Sequence, residues 1–320
     1  MADYASEKGV KVQTVAGDPP APFEGQVWYN SSTGSHRVNK GALVSAWATG
    51  VNMNESKWGR GSSVDSVSAA IAFSGAPGTT AAESYNGTAW SVDTPINTNR
   101  YWGGSAGTQT SALLFGGVDP PPGAAITESW NGTSWTEVSD LNTSRFSTNG
   151  TGTDNTSALC FAGNMRPGFG TQTELWNGTN WTEVNDVNFG REYAASRIGT
   201  ATSALMVAGY PPYSGNVESW NGTNWTEVND FAGGEYKKEA MGAGTTSSAI
   251  VAGGTPTSDS SYAWNGTNWS ATSPINTGRS HIAASGTSST EAYIYGGGPP
   301  ETNTTEEFSE TGGTQNISSS

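Results

Sequence analysis

A six-residue phrase returns along this chain about every 44 residues. It reads YNGTAW at 85–90, WNGTSW at 130–135, and WNGTNW at 176–181, 220–225 and 264–269. Its first residues step by 45, 46, 44 and 44, and one further step of 44 reaches Phe308 in a degenerate copy, EEFSETGG. A fixed period in this range marks an array of one supersecondary unit. Each unit holds four short apolar or aromatic runs separated by Gly, Asn, Pro or Thr, as in SALLFGG at 111–117, TESW at 127–130 and WTEV at 135–138. Runs of this length between turn residues read as strands. The Asn-Gly pair inside the phrase predicts a tight two-residue hairpin with positive φ angles.

Four antiparallel strands per unit, with no helical periodicity, describe a propeller blade, which buries its faces only against neighbours around an axis. The SAL-type run is then a buried strand, and it occurs six times, at 69–75, 111–117, 157–163, 203–209, 248–254 and 291–297. Trp47 stands 43 residues before Trp90 with no phrase ahead of it, while the copy at Phe308 has no Trp after it. Residues 43–48 are therefore expected to supply the outer strand of the last blade and close the ring.

The repeats resemble kelch repeats. The resemblance rests on an apolar strand ending in Gly116-Gly117, then Glu128, Trp130 and Trp135, then Arg145 opening the next unit. The double glycine persists at Gly253-Gly254 and Gly296-Gly297 and relaxes to SG or AG elsewhere. The resemblance implies an all-β, six-bladed kelch-like β-propeller over 43–309. Ahead of it is expected a small β-rich attachment arm over 1–42, and after it a polar tail over 310–320.

Ten residues after each second Trp stands Lys57, Arg100, Arg145, Arg191, Glu235 or Arg279; two before each first aromatic stands Glu83, Glu128, Glu174, Glu218, Tyr262 or Glu306. In the fifth unit both members change together. That argues for contact within a blade, an ion pair to which arginine could lend bidentate geometry. The functional alternative is a basic ring of Lys57, Arg100, Arg145, Arg191 and Arg279 at the channel mouth, facing an anionic ligand.

Loops between second and third strands are long and varied, among them VDPPPGAAI at 118–126, NMRPGFGTQ at 164–172 and YPPYSGNV at 210–217. Loops on a rigid scaffold often carry function. Phe169, Tyr210 and Tyr213 are the candidate recognition rim. Trp58, Tyr101, Trp102, Phe146, Tyr193 and Tyr236 follow the basic position at mixed offsets of 11 and 12 from the preceding Trp. Strand alternation would send these to different sides. Blade-to-blade packing is expected of them, rather than one carbohydrate-stacking ring.

With 14 basic and 28 acidic residues the net charge is −14, which disfavours binding nucleic acid through a basic surface. No apolar run is long enough to span a bilayer, and MADYASEKGV lacks a signal-peptide core. The lone Cys160 lies in SALCFAG, where it reads as a small core hydrophobe. His36 and His281 are the two histidines, neither beside a nucleophile motif or a metal-spaced cluster. The expectation is a non-enzymatic protein without cofactor or metal.

Residues 25–38, GQVWYNSSTGSHRV, read as two short strands around a turn. With the following glycine and Trp47 they resemble segments of tail-fibre and other virion proteins of tailed bacteriophages, as does the WNGTxW style of propeller. The resemblance implies a virion component assembled in the host cytoplasm. Its arm would dock on other virion proteins and its propeller would meet host surface glycan or protein. A purely structural virion adaptor and a bacterial carbohydrate-binding or glycan-processing propeller are the alternatives. A propeller on its own suits a monomer, whereas a place in a fibre suits an oligomer.

Overall fold

The innermost strands of the blades are built from small residues, such as GSAGT at Gly104–Thr108 and NGTGTD at Asn149–Asp154. Crowding near the axis explains this choice. The Phe115 ring fills the space where a Gly104 side chain would begin, and a Cβ on Gly150 of the next blade would stand 2.5 Å from the same ring. Large side chains therefore sit outward of small ones, as the taper of a propeller requires. The computed structural model of the protein describes residues 12–19, 26–39, 44–59, 61–63, 66–118, 123–211, 215–231, 239–255, 257–311 and 314–317. Among them no helix is long and apolar enough to cross a membrane.

Six four-stranded antiparallel blades form one compact unit, Trp47–Phe308. In the third blade Asn149–Asp154, Ser157–Phe161, Thr173–Trp176 and Trp181–Val184 lie in that order from axis to rim. The second strand of a blade is covered on both faces. Ala112, Leu113, Leu114 and Phe115 are all 0% exposed, so alternation gives way to a continuous apolar run. Cys160 occupies the same buried register, and burial pushes its thiol pKa up to about 11. The outer strand WTEV buries only its Trp.

The innermost strands pack in succession: Gly61–Ser62, Gly104–Thr108, Asn149–Asp154, Ala195–Thr200, Met241–Thr245, Ala283–Ser288, and back to the first. The sixth blade runs Ala283–Ser288, Glu291–Tyr295, Thr305–Thr311 and then Val44–Thr49, so an N-terminal strand closes the ring. Trp47 fills the outer-strand Trp position there, 5.1 Å from the Phe308 ring, and its carbonyl accepts from Asn276 Nδ2 at 3.1 Å.

Backbone geometry accounts for the unequal retention of the double glycine. Its first position has φ between 55° and 69° and is held by Ser74, Gly116, Ala162, Ala208, Gly253 and Gly296. The second has φ between 102° and 126° and is glycine in every blade. A small L-residue can enter the left-handed helical region at modest strain, whereas the wider angle is essentially reserved for glycine.

The Asn-Gly turns differ from the expected form. Glycine alone takes positive φ, 89° at Gly87 and 91° at Gly132. The asparagine closes the turn with its side chain: Asn86 Oδ1 accepts from Thr88 N at 3.0 Å and Ala89 N at 2.9 Å. This is an Asx turn. It sets Tyr85 opposite Trp90 and Trp130 opposite Trp135, with ring centroids 5.3 and 5.4 Å apart.

A second compact unit comprises Met1–Ala46 and Ser309–Ser320. Val27–Asn30 and Ser35–Asn39 form the expected hairpin. Gln13–Val15 adds parallel to the first of these strands. Thr314–Ile317 pairs antiparallel with Ser35–Asn39, so the segment expected as a polar tail contributes a strand. Asp18, in the Pro-rich joint, accepts from Trp28 Nε1 at 3.2 Å and Asn30 Nδ2 at 2.8 Å and lies 3.4 Å from Arg37 Nε.

Candidate functional site

The regular basic positions face inward. Arg100, Arg145, Arg191 and Arg279 are at most 2% exposed, and each meets the glutamate of its own blade: Glu128, Glu174, Glu218 and Glu306. The last two pairs measure 2.7 Å. These four therefore form no basic ring at the channel mouth. Nor is the pairing bidentate. Arginine takes Oε1, while Oε2 accepts from the backbone N of an asparagine three residues before the arginine and, in the second to fourth blades, from its side chain as well. For Glu174 the distances to Asn142 are 2.7 and 2.8 Å. Asn97, Asn188 and Asn276 donate their backbone N–H in the same way. Burial lowers the pKa of Arg100, Arg191 and Arg279, and the paired glutamates oppose that shift.

The first blade carries lysine at this position. The Lys57 carbonyl accepts from Gly297 N at 3.0 Å. Its glutamate, Glu83, keeps the asparagine contact, accepting from Asn54 N at 2.7 Å and from Glu55 N at 3.0 Å. In the fifth blade Glu235 lies outside the described residues. Tyr262 packs there on Phe231, with centroids 4.5 Å apart. The connection is also two residues longer than its counterparts, measured from Trp225 to Met241.

Of the candidate rim, Phe169 is 37% exposed and its ring meets Tyr210 edge-on at 5.8 Å. Arg166, in the same loop, lies 4.9 Å from the Phe146 centroid. Tyr213 lies outside the described residues, as does Tyr236.

The centre of the same face holds a more developed site. Two residues before each innermost strand stands Gly59, Trp102, Ser147, Tyr193, Glu239 or His281. All six have φ between 48° and 64°. Backbone bonds link them from blade to blade. Trp102 N donates to Gly59 O at 3.3 Å, Tyr193 N to Ser147 O at 3.5 Å and Glu239 N to Tyr193 O at 2.9 Å. His281 N donates to Glu239 O at 2.9 Å, and Gly59 N to His281 O at 3.1 Å. The left-handed φ interrupts strand alternation and gathers these residues around one pocket, with a volume of about 80 Å3.

The aromatics pack from blade to blade as expected, and Trp102 and Tyr193 also line the pocket. Trp102 lies 5.6 Å from Tyr193 and 6.3 Å from the His281 ring, and Trp58 reaches both Trp102, at 5.6 Å, and His281, at 4.6 Å. His281 Nε2 is 3.2 Å from Glu239 Oε1, while Glu239 Oε2 accepts from the Thr255 hydroxyl. Burial raises the Tyr193 hydroxyl above its ordinary range.

Arg197 lines the pocket from the fourth blade's innermost strand, itself at φ 68°. Its Nε donates to Ser105 Oγ at 3.0 Å and its Nη1 lies 3.2 Å from Met241 Sδ. Ser105 Oγ donates in turn to Ser62 O at 2.9 Å, and Ser62 Oγ to Ala284 O at 3.0 Å. One polar chain thus ties together the innermost strands of four blades beside the pocket. Burial lowers the Arg197 pKa to about 10.

The arrangement offers aromatic faces, a carboxylate held by two partners, an imidazole and several hydroxyls. Among the described residues no group of three His, Cys, Asp or Glu is placed to hold a metal ion. Repeat motifs do not reveal this site, because its residues differ in every copy. The one signal in the sequence is positional, twelve residues after five of the six outer-strand Trp.

No family model matches the chain, and no curated protein matches it. Among solved structures, that of YjhT superposes with a TM-score of 0.67 at 14% sequence identity, covering 83% of this chain and 99% of that one. At that identity the likeness is one of fold.

Proposed function

We propose that the chain is a non-enzymatic recognition component of a tailed-bacteriophage particle, in a fibre, tail or capsid appendage. Its propeller meets the host surface and its N-terminal arm, residues 1–42, docks on other virion proteins. The repeats are read as kelch-type. The observation that carries the recognition reading is the axial ring: Trp102, Tyr193, Glu239 and His281 hold a backbone conformation that glycine, as at Gly59, adopts at least strain. Strained positions cluster where side chains serve binding or chemistry. The Phe169–Tyr210 rim lies on the same face, among the loops that follow the second strands. The dyad Glu239–His281 has no nucleophile motif beside it, so binding accounts for it more simply than turnover.

The test is binding of the labelled full chain to intact cells of a bacterial panel and to purified virion proteins. Saturable binding to particular cells, weakened by Trp102→Ala, supports recognition. Binding to virion proteins alone makes the chain a structural adaptor and removes the receptor reading.

A further inference from the structure

We propose that the axial pocket is a saccharide site, which takes the hydroxyl-bearing edge of one sugar ring at the end of a surface glycan. The inference rests on the recognition reading above and names its ligand class. Three kinds of observation carry it.

The first is the mixture of surfaces. A sugar ring has an apolar C–H face and a rim of hydroxyls that both donate and accept. The pocket supplies the matching pair. Trp102 and Tyr193 line it with aromatic surface, and Ser147, Asn149, Ser196, Glu239 and His281 line it with polar groups. An apolar ligand would leave those polar groups desolvated and unmatched, which is costly. A cationic head group fits aromatic faces and a carboxylate. Here, however, the Arg197 guanidinium also lines the pocket and His281 already stands against Glu239. An anionic polymer such as nucleic acid meets a chain of net charge −14.

The second is preorganisation. Glu239 is held through both oxygens, by His281 Nε2 at 3.2 Å and by the Thr255 hydroxyl. A fixed acceptor beside an imidazole matches two neighbouring hydroxyls on a ring. The Trp102 Nε1–H is buried and, among the described residues, meets no acceptor. A Cβ at Gly59 would stand 2.9 Å from that nitrogen, so glycine lets the indole pack closely and fixes its aromatic face beside the pocket.

The third is size. About 80 Å3 accommodates a few water-sized groups, well below the 300–1,000 Å3 of a pocket that swallows a drug-sized molecule. The polar chain through Arg197, Ser105 and Ser62 packs beside it. End-on entry of one ring edge fits these dimensions.

Saturation-transfer NMR and tryptophan fluorescence on the full chain test the idea. The probes are methyl glycosides of glucose, galactose, mannose and N-acetylglucosamine, with choline and Nα-acetyl-lysine as cationic comparators. Saturable binding of at least one glycoside is expected. The isosteric Glu239→Gln should weaken it at least tenfold with an unchanged melting curve, Trp102→Ala should weaken it at least tenfold, and Val92→Ala, on an exposed outer strand, should leave it unchanged. Glu239→Gln keeps the test valid should Trp102→Ala unfold. Absence of binding by every glycoside, binding unaffected by Glu239→Gln, or binding of choline or acetyl-lysine in place of the glycosides each overturns the proposal. Glycoside binding without cell binding sinks the virion reading and leaves the sugar site standing. Cell binding that no glycoside competes does the reverse.

Discussion

Arg145 and Ser147 stand two residues apart in the same connection, and their counterparts around the ring behave in opposite ways. At the first position four blades carry a buried arginine on a glutamate whose second oxygen is held by asparagine. At the second, six blades carry six different residues on one backbone conformation. The blade interior solves the same packing problem in each copy, so its residues recur. The axial mouth is lined once by six contributors with different neighbours, so packing does not require recurrence there. Repetition marks scaffold, and a fixed backbone with changing side chains marks the place where we propose the site.

The sharpest way to break that comparison is to open the ring. Deleting residues 44–49 removes the outer strand of the sixth blade and bares the Phe308 surface. The expected result is loss of the cooperative unfolding transition by calorimetry, with axial binding lost as well. A deletion variant that melts as the full chain does would show the closing strand to be dispensable.

Within the blade interior, Arg145→Ala strands the Glu174 carboxylate in a fully buried setting. Removing one partner of a buried pair typically costs about 3–5 kcal/mol, and urea unfolding should show a loss of that order. The fifth blade is the internal control, because Tyr262 stands where the other blades have glutamate and packs on Phe231 and thence on Trp269. Tyr262→Phe should change stability by less than about 1 kcal/mol. Comparable losses in both variants would remove the distinction between a blade built on an arginine–glutamate pair and one built on Tyr262 against Phe231.

The two glycine positions of the repeat divide in the same manner, at smaller scale. Gly163 has φ 102° and a Cβ there would stand 2.9 Å from Thr148 Cα, so Gly163→Ala should destabilise by about 1–3 kcal/mol. Ala162 at φ 55° already carries a side chain, and Ala162→Gly should change stability by no more than about 1 kcal/mol in either direction. Thermal unfolding of the two variants side by side decides it.

The same contrast governs how much of the molecule is legible in its residues alone. Period, blade number and the Arg–Glu pairs are legible because each is stated several times over, the closing strand because Trp47 stands alone at the repeat spacing, and one deviation, Tyr262, points to its partner position. The asparagine of the buried network repeats as regularly at Asn97, Asn142, Asn188 and Asn276, yet its role is hidden: its main-chain N–H does half the work, and main-chain groups leave no trace in residue types. The Asx form of the turns is hidden for a related reason, since Asn-Gly suits two turn geometries. The C-terminal strand Thr314–Ile317 gives no sign of itself because TQNI carries no alternation of its own and takes its place by pairing with Ser35–Asn39. The axial site is the least legible part. Strand alternation is the wrong rule for Trp102 and Tyr193, because the left-handed φ of their position suspends it.

The mildest test bears on that last point. If the axial conformation is strained wherever it carries a side chain, Ser147→Gly should relieve strain, because glycine populates positive φ without a Cβ clash. Serine is the smallest of the non-glycine residues on the ring, so the exchange removes little packing. The expected gain is about 0.5–1 kcal/mol, offset in part by the greater freedom of glycine in the unfolded chain. Gly59→Ser runs the exchange in reverse at φ 63°, with the new Cβ 2.8 Å from the Trp102 ring, and should lower the melting temperature and weaken axial binding together. Opposite shifts in melting temperature for the two variants would tie the strain to the ring position itself. Shifts in the same direction would mean that local packing, rather than backbone conformation, decides which residue each blade contributes.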